Sequence, residues 1–237
     1  SSKKVTFTSY PGGPPPPTML PALKGMNRFL WNFRTETITP DVNGVFVYGD
    51  YRGYRVPPGR YLARLSYNGQ SSETAFEVLQ DPRLLVNTAQ WQEQQQFLKK
   101  VTAHITSIHK RINSVRSIRQ QVQTYNDLFK DREEYLEICK QGKELAEQIS
   151  QWEGELVESR TKNGQDVINW PSKLNVDFFQ LKSLADAHDP AITEGLKARL
   201  RDLEDKWKAL EKYYQDVLLL SVKRYNDSFR SRQIPAV

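Results

Sequence analysis

Hydrophobic and polar positions follow two rhythms along this chain, and the change falls near residue 81. Ahead of it, short runs alternate with a period of two. Val5, Phe7 and Ser9 alternate with Thr6, Thr8 and Tyr10. Further runs span Asn27 to Arg34, Val45 to Tyr48, Arg60 to Tyr67 and Ser72 to Leu79. Each is rich in aromatic or β-branched residues and bounded by Gly, Pro or Asn, which predicts strands. The last two predict a hairpin. Tyr61, Ala63, Leu65 and Tyr67 share one face, and Asn68-Gly69 suits the two positive-φ positions of a type I′ turn. Pro58-Gly59 ahead of it fits a type II turn. Five such runs fall short of the roughly seven strands of a self-sufficient sandwich. We therefore expect a partial Ig-like β-sandwich that lacks strands.

After Asp81-Pro82-Arg83 the period becomes 3.6. Phe97, Val101, Ile105, Ile108, Ile112, Val115, Val122 and Phe129 form one stripe, predicting a helix from Thr88 to Lys130. Asp131 and Glu134 have the spacing of a capping box for the next helix. That helix carries Tyr135, Ile138, Gly142, Leu145, Ile149, Trp152 and Leu156, spaced three and four apart like a bundle seam, and Asn163-Gly164 closes it. Gly142 on the seam would let a neighbouring helix approach. A short helix follows over Lys173 to Ala187, ended by Asp189-Pro190. Thr193 caps a last helix to Arg230, whose stripe runs through Leu196, Leu200, Leu203, Trp207, Leu210, Tyr214, Val217 and Tyr225. The expected fold is α+β. Residues 1–83 form the β module, and residues 84–237 form an antiparallel bundle of three long helices and one short one.

Composition adds restraint. Mean hydropathy is −0.67, with 38% hydrophobic and 26% charged residues, which describes a globular chain with much polar helix surface. The net charge of +6 comes from 34 basic and 28 acidic residues. These alternate along the helices, as on solvated faces, and form no one-sign block. The basic stretch from Lys99 to Arg119 has no interleaved aromatics, which argues against nucleic acid. No apolar run approaches the ~20 residues that cross a bilayer. Ser1-Ser2-Lys3-Lys4 leads almost directly into strand pattern, so the start reads as a processed or truncated end. Cys139, the single cysteine, has no intrachain disulfide partner and reads as a packing residue.

The residues offer little chemistry. His104 and His109 are five apart, off the same-face spacing, and neither HExxH nor a paired cysteine motif occurs. Gly12-Gly13 is followed by prolines that have no N–H to offer an anion. Glu144, Glu147, Glu153, Glu155 and Glu158 flank the second seam and read as solvent-facing. We expect no catalytic, metal or cofactor site. A contact surface on the β module is the remaining candidate, with Trp31, Phe46, Tyr48, Tyr51 and Tyr54 as its aromatics. Core packing competes for the same residues.

Several strings resemble a known family. Gly25-Met26-Asn27-Arg28-Phe29-Leu30-Trp31-Asn32 resembles a G-x-N-R-F-x-W-D segment, with Asn32 where aspartate is common. Arg55-Val56-Pro57-Pro58-Gly59-Arg60-Tyr61 resembles an A/V-P-P-G-x-Y segment that precedes a hairpin. Asp81-Pro82-Arg83, Tyr225-Asn226 and Ile234-Pro235 add weaker matches. The chain thus resembles the C-terminal region of bacterial sortilin-like β-propeller proteins, often labelled glycosyl hydrolase or BNR/Asp-box repeat proteins. The resemblance implies an extracytoplasmic setting and an accessory module beside a propeller, with a protein partner and carbohydrate as the second ligand class. It also implies that any hydrolase chemistry resides outside this chain, since no S-x-D-x-G-x-x-W repeat occurs here.

Overall fold

A computed structural model describes residues 9–231. The strand pattern at Val5 and Phe7 lies outside the described residues. The fold is α+β: one two-stranded antiparallel hairpin followed by helices. The hairpin comprises β1 (Gly59–Tyr67) and β2 (Gln70–Val78). The helices are α1 (Thr88–Phe129), α2 (Leu136–Leu156), α3 (Leu174–Ala185), α4 (Glu194–Tyr213) and α5 (Leu219–Ser231).

Cross-contacts give the layout. Arg116 and Arg119 of α1 meet Glu153 of α2, so these helices run antiparallel. Gln94 bonds the Ala185 carbonyl, and His104 stacks on Phe178. The antiparallel α3 thus covers the other half of α1. Lys100 and Arg111 pair with Glu204 and Glu211, so the third rod runs parallel to α1. The bundle is therefore three rods, with α2 and α3 placed end to end as the middle one. α1 alone extends ~63 Å at 1.5 Å per residue.

Local chemistry sets the helix ends. Asn87 and Gln90 form a reciprocal capping box at α1. Thr193 accepts from the Leu196 N–H at α4, as expected. Asp131 does not take the N-cap position expected of it: the N-cap is Arg132 for the turn that follows and Tyr135 for α2. A 3-10 turn over Glu133–Tyr135 starts α2 instead, and α2 stops at Leu156, before Asn163-Gly164. α4 and α5 are joined by a π-helical turn at Tyr214–Leu218. The carbonyl of Leu210 there accepts both the Tyr214 N–H and the Trp152 indole N–H (2.9 Å). The wide turn inserts a residue into the stripe. Leu218 is consequently buried, while the predicted Val217 is 37% exposed.

The expected Ig-like sandwich is not seen among the described residues. Only the hairpin forms strands, besides an isolated bridge between Arg34 and Arg55. The physical reason lies at residues 34–56. That segment is an extended strap laid along the bundle, and Ile38, Val42, Val45, Val47 and Tyr51 join the helical core. Several of its carbonyls are taken by helix side chains, while those of Tyr51 and Tyr54 accept from Ile38 and Thr35 of the strap itself. Asn113 donates to Asp41 O (2.7 Å), Arg116 to Asn43 O (2.8 Å), Gln180 to Tyr48 O (2.7 Å) and Lys182 to Asp50 O (3.0 Å). The core thus spans the expected boundary at residue 83.

Candidate interaction surface

The hairpin stands apart from this core. Asn68 (φ 46°) and Gly69 (φ 78°) make the predicted two-residue turn. It sets the register, pairing Tyr67 with Gln70, Tyr61 with Phe76 and Arg60 with Glu77. Gly59, at φ 155°, opens β1 instead of taking the left-handed position of a type II turn. On one face Tyr61 and Phe76 stack at 5.8 Å. Trp31 joins them at 5.7 and 5.9 Å, and Phe33 meets Trp31 at 5.1 Å.

The base of this cluster is firmly held. The Trp31 indole donates to Arg34 O (3.0 Å), and Asn32 Oδ1 accepts from the Arg34 N–H (3.2 Å). An aspartate at 32 could accept in the same way. Tyr61 donates to Pro57 O (2.5 Å), and burial pushes its phenol pKa up. Phe33 has φ 56°, a costly left-handed conformation for a bulky residue. Arg34 then ties the cluster to the bundle through Asp186 (2.7 Å), which also accepts from the Arg55 N–H (3.0 Å).

Beyond that base the apolar surface is open. A groove of about 1030 Å³ runs between the hairpin and the segment 18–33. Leu62, Leu65 and Tyr67 are 55%, 62% and 70% exposed. Met19, Leu23, Met26 and Leu30 are also exposed. The opposite hairpin face carries Arg60 across from Glu77 and an Arg64–Glu73 ion pair.

The predicted surface aromatics separate. Trp31 sits in the groove. Tyr51 is 1% exposed and packs on Phe179 at 4.8 Å, so it belongs to the core and not to a contact surface. Its place on the strap turns it toward α1 and α3, and burial pushes its phenol pKa up. Tyr54 is half-buried against the same core, and burial raises its pKa too. Tyr48 is exposed but lies elsewhere, over Gly164, while Phe46 is half-buried beside it. Phe33 and Phe76 were missed as site residues. The turn register signals Phe76, because centring a hairpin on Asn68-Gly69 places it opposite Tyr61.

Elsewhere, polar groups serve packing. Glu153 and Glu158 are buried, correcting their expected solvent exposure: Glu153 meets Arg116 and Arg119, and Glu158 meets Arg160. The Arg160 guanidinium holds the Glu158 carboxyl down to about 2. The basic stretch on α1 is largely paired across the bundle through Lys100, Arg111, Arg116 and Arg119. Cys139 is buried. Among the described residues, no three His, Cys, Asp or Glu side chains converge to hold a metal ion. Among them, too, no helix is long and apolar enough to cross a membrane. No family model, curated protein or solved structure matches this chain.

Proposed function

We propose that this chain is a non-catalytic interaction module whose bundle is a rigid base and whose hairpin contacts a protein partner. The open aromatic groove carries this reading. A two-stranded ribbon is marginal alone, and a contiguous exposed apolar face on a water-soluble surface marks an interaction site. Here Leu65 and Tyr67, on the face of Tyr61, remain open although the bundle has closed its own core. The resemblance of residues 25–32 and 55–61 to sortilin-like β-propeller proteins supports a propeller as the partner and an extracytoplasmic setting. A carbohydrate-active parent whose catalytic residues lie outside this chain is compatible with the same module.

The test is a photo-cross-linking residue placed at Leu65 in the source cells, with Lys99 on α1 as control. A single saturable adduct at 65, competed by the unlabelled chain and absent at 99, is expected. Equal labelling at both positions, or no adduct at 65, would sink the proposal.

A further inference from the structure

The two edges of the hairpin differ, and the difference selects a partner. With Tyr67 and Gln70 as the hydrogen-bonded closing pair, alternation along the ladder turns the N–H and C=O of Arg60, Leu62, Arg64 and Ser66 outward from β1. No backbone group of the described residues pairs with them. Such an edge is a template for an added strand.

Side chains specify the strand. On the face of Arg60 and Arg64, β1 shows two arginines flanking Leu62; Arg64 pairs with Glu73 of β2 and Arg60 stands across from Glu77. On the other face it shows Tyr61, Ala63 and Leu65, which line the groove. The outer edge of β2 is different: Ser71, Glu73, Ala75 and Glu77 alternate with the polar Ser72 and Thr74 and with Phe76, which Trp31 and Tyr61 already half-bury. The apolar area left open is therefore on the β1 side.

We infer that the β1 edge accepts an antiparallel strand of a partner protein that is acidic opposite Arg60 and Arg64 and apolar opposite Tyr61, Ala63 and Leu65. This inference rests on the interaction-module reading and names the chemistry of its partner. The acids give Arg60 and Arg64 a second carboxylate on their open side, beyond Glu77 and Glu73 across the ribbon, and the apolar side chains fill the groove beside Trp31. Charge argues against other occupants. β1 has no carboxylate, so two-fold pairing of β1 with its own copy supplies none. Head-to-tail pairing with β2 of a second copy supplies Glu73 and Glu77, but sets Thr74 and Ser72 against the apolar groove. Residues 1–8 of this chain bring Lys3 and Lys4.

A synthetic peptide, Thr-Val-Glu-Ile-Val-Val-Glu-Thr, reads as that strand from Ser66 back to Gly59. Fluorescence anisotropy against the full chain, with amide exchange by NMR, tests the proposal. Binding should weaken with salt, and exchange should slow at Leu62 and Arg64. The same peptide with both Glu changed to Lys should bind about tenfold more weakly. Leu62→Pro removes an outward N–H and no ladder bond, so it should abolish binding while the thermal melt of the bundle stays in place.

Equal affinity for the Glu and Lys peptides, or binding without protection at Leu62 and Arg64, would overturn the strand while leaving the cross-link at Leu65 intact. Concentration-dependent self-association lost in Leu62→Pro would replace the partner with a second copy. Tight peptide binding that appears only after deletion of residues 1–8 would make the chain its own occupant.

Discussion

The attachment of the strap rests on Asp186, and its removal should be felt locally and globally. Asp186 follows the last residue of α3, where its carboxylate takes the Arg34 guanidinium at 2.7 Å and the Arg55 N–H at 3.0 Å. The two side chains are 15% and 8% exposed, so the pair is mostly desolvated. Breaking a fully buried pair costs about 3–5 kcal/mol. Arg34 keeps a second bond to Gly53 O at 2.7 Å, which softens the loss. The Arg55 N–H loses its partner and adds about 1 kcal/mol. Asp186→Ala should therefore destabilise by about 3 kcal/mol, lowering Tm by roughly 6–12 °C for a chain of this size. Urea melts of Asp186→Ala, Arg34→Met and the double variant give the pair energy directly. We expect the double variant to recover about 1–2 kcal/mol relative to the sum of the singles. The Thr35 and Val56 amides, which donate to Tyr54 O and Phe33 O, should exchange faster than those inside α1. Additivity within about 0.4 kcal/mol, or exchange unchanged at Thr35 and Val56, would refute the latch.

Two further outcomes follow from packing and burial. A Cβ at Gly142 would lie 3.0 Å from Asn126 Cγ and closer still to its amide atoms. Gly142→Ala gains about 1 kcal/mol of helix propensity but loses about 1–3 to crowding, so thermal melts should show a net loss that reverses to a gain in an Asn126→Ala background. Burial lowers the pKa of His109 from 6.5 to about 4, against smaller upward effects from the Pro40 carbonyl and Asp41. Its folded pKa lies below its unfolded one, so its contribution is whole above pH 6.5 and falls away as pH drops toward 4. The full difference is roughly 3 kcal/mol, and His109→Phe should flatten the stability-versus-pH curve between those limits, as measured by urea melts at each pH.

The sequence was most legible where one periodicity admits one structure. The stripe from Phe97 to Phe129 needs a single helix, and Asn68-Gly69 needs a tight turn, so α1 and the hairpin match their prediction closely. Val45 and Val47 were ambiguous in kind. A period of two reports an extended chain, not what pairs with it. Here the pairing groups are Asn113, Arg116, Gln180 and Lys182, remote in sequence and indistinguishable there from solvated helix residues. The same blindness hid the burial of Glu153 and His109. It also misplaced Tyr51, whose aromatic character suits a surface contact and a core equally. The phase slip at Val217 has a comparable origin, because it depends on a tryptophan from another helix reaching the Leu210 carbonyl.

The helices do not account for the conformation held at the base of the hairpin. Phe33 keeps a φ of 56°, which costs about 1–3 kcal/mol, and it is itself half exposed. Its carbonyl receives the Val56 N–H, while Asn32 and the Trp31 indole secure Arg34 on either side. These contacts turn Trp31 onto Tyr61 and Phe76 and fix the ribbon against the strap. The strap is fixed in turn against α3 by Asp186. A ribbon that served only to stabilise the bundle would bury Leu65 and Tyr67 on a helix. This one is braced at its base and left bare along its edge. Pre-organisation of that kind lowers the ordering cost of an incoming chain, and it is the physical reason for assigning the bare edge, and not the helical faces, to a partner.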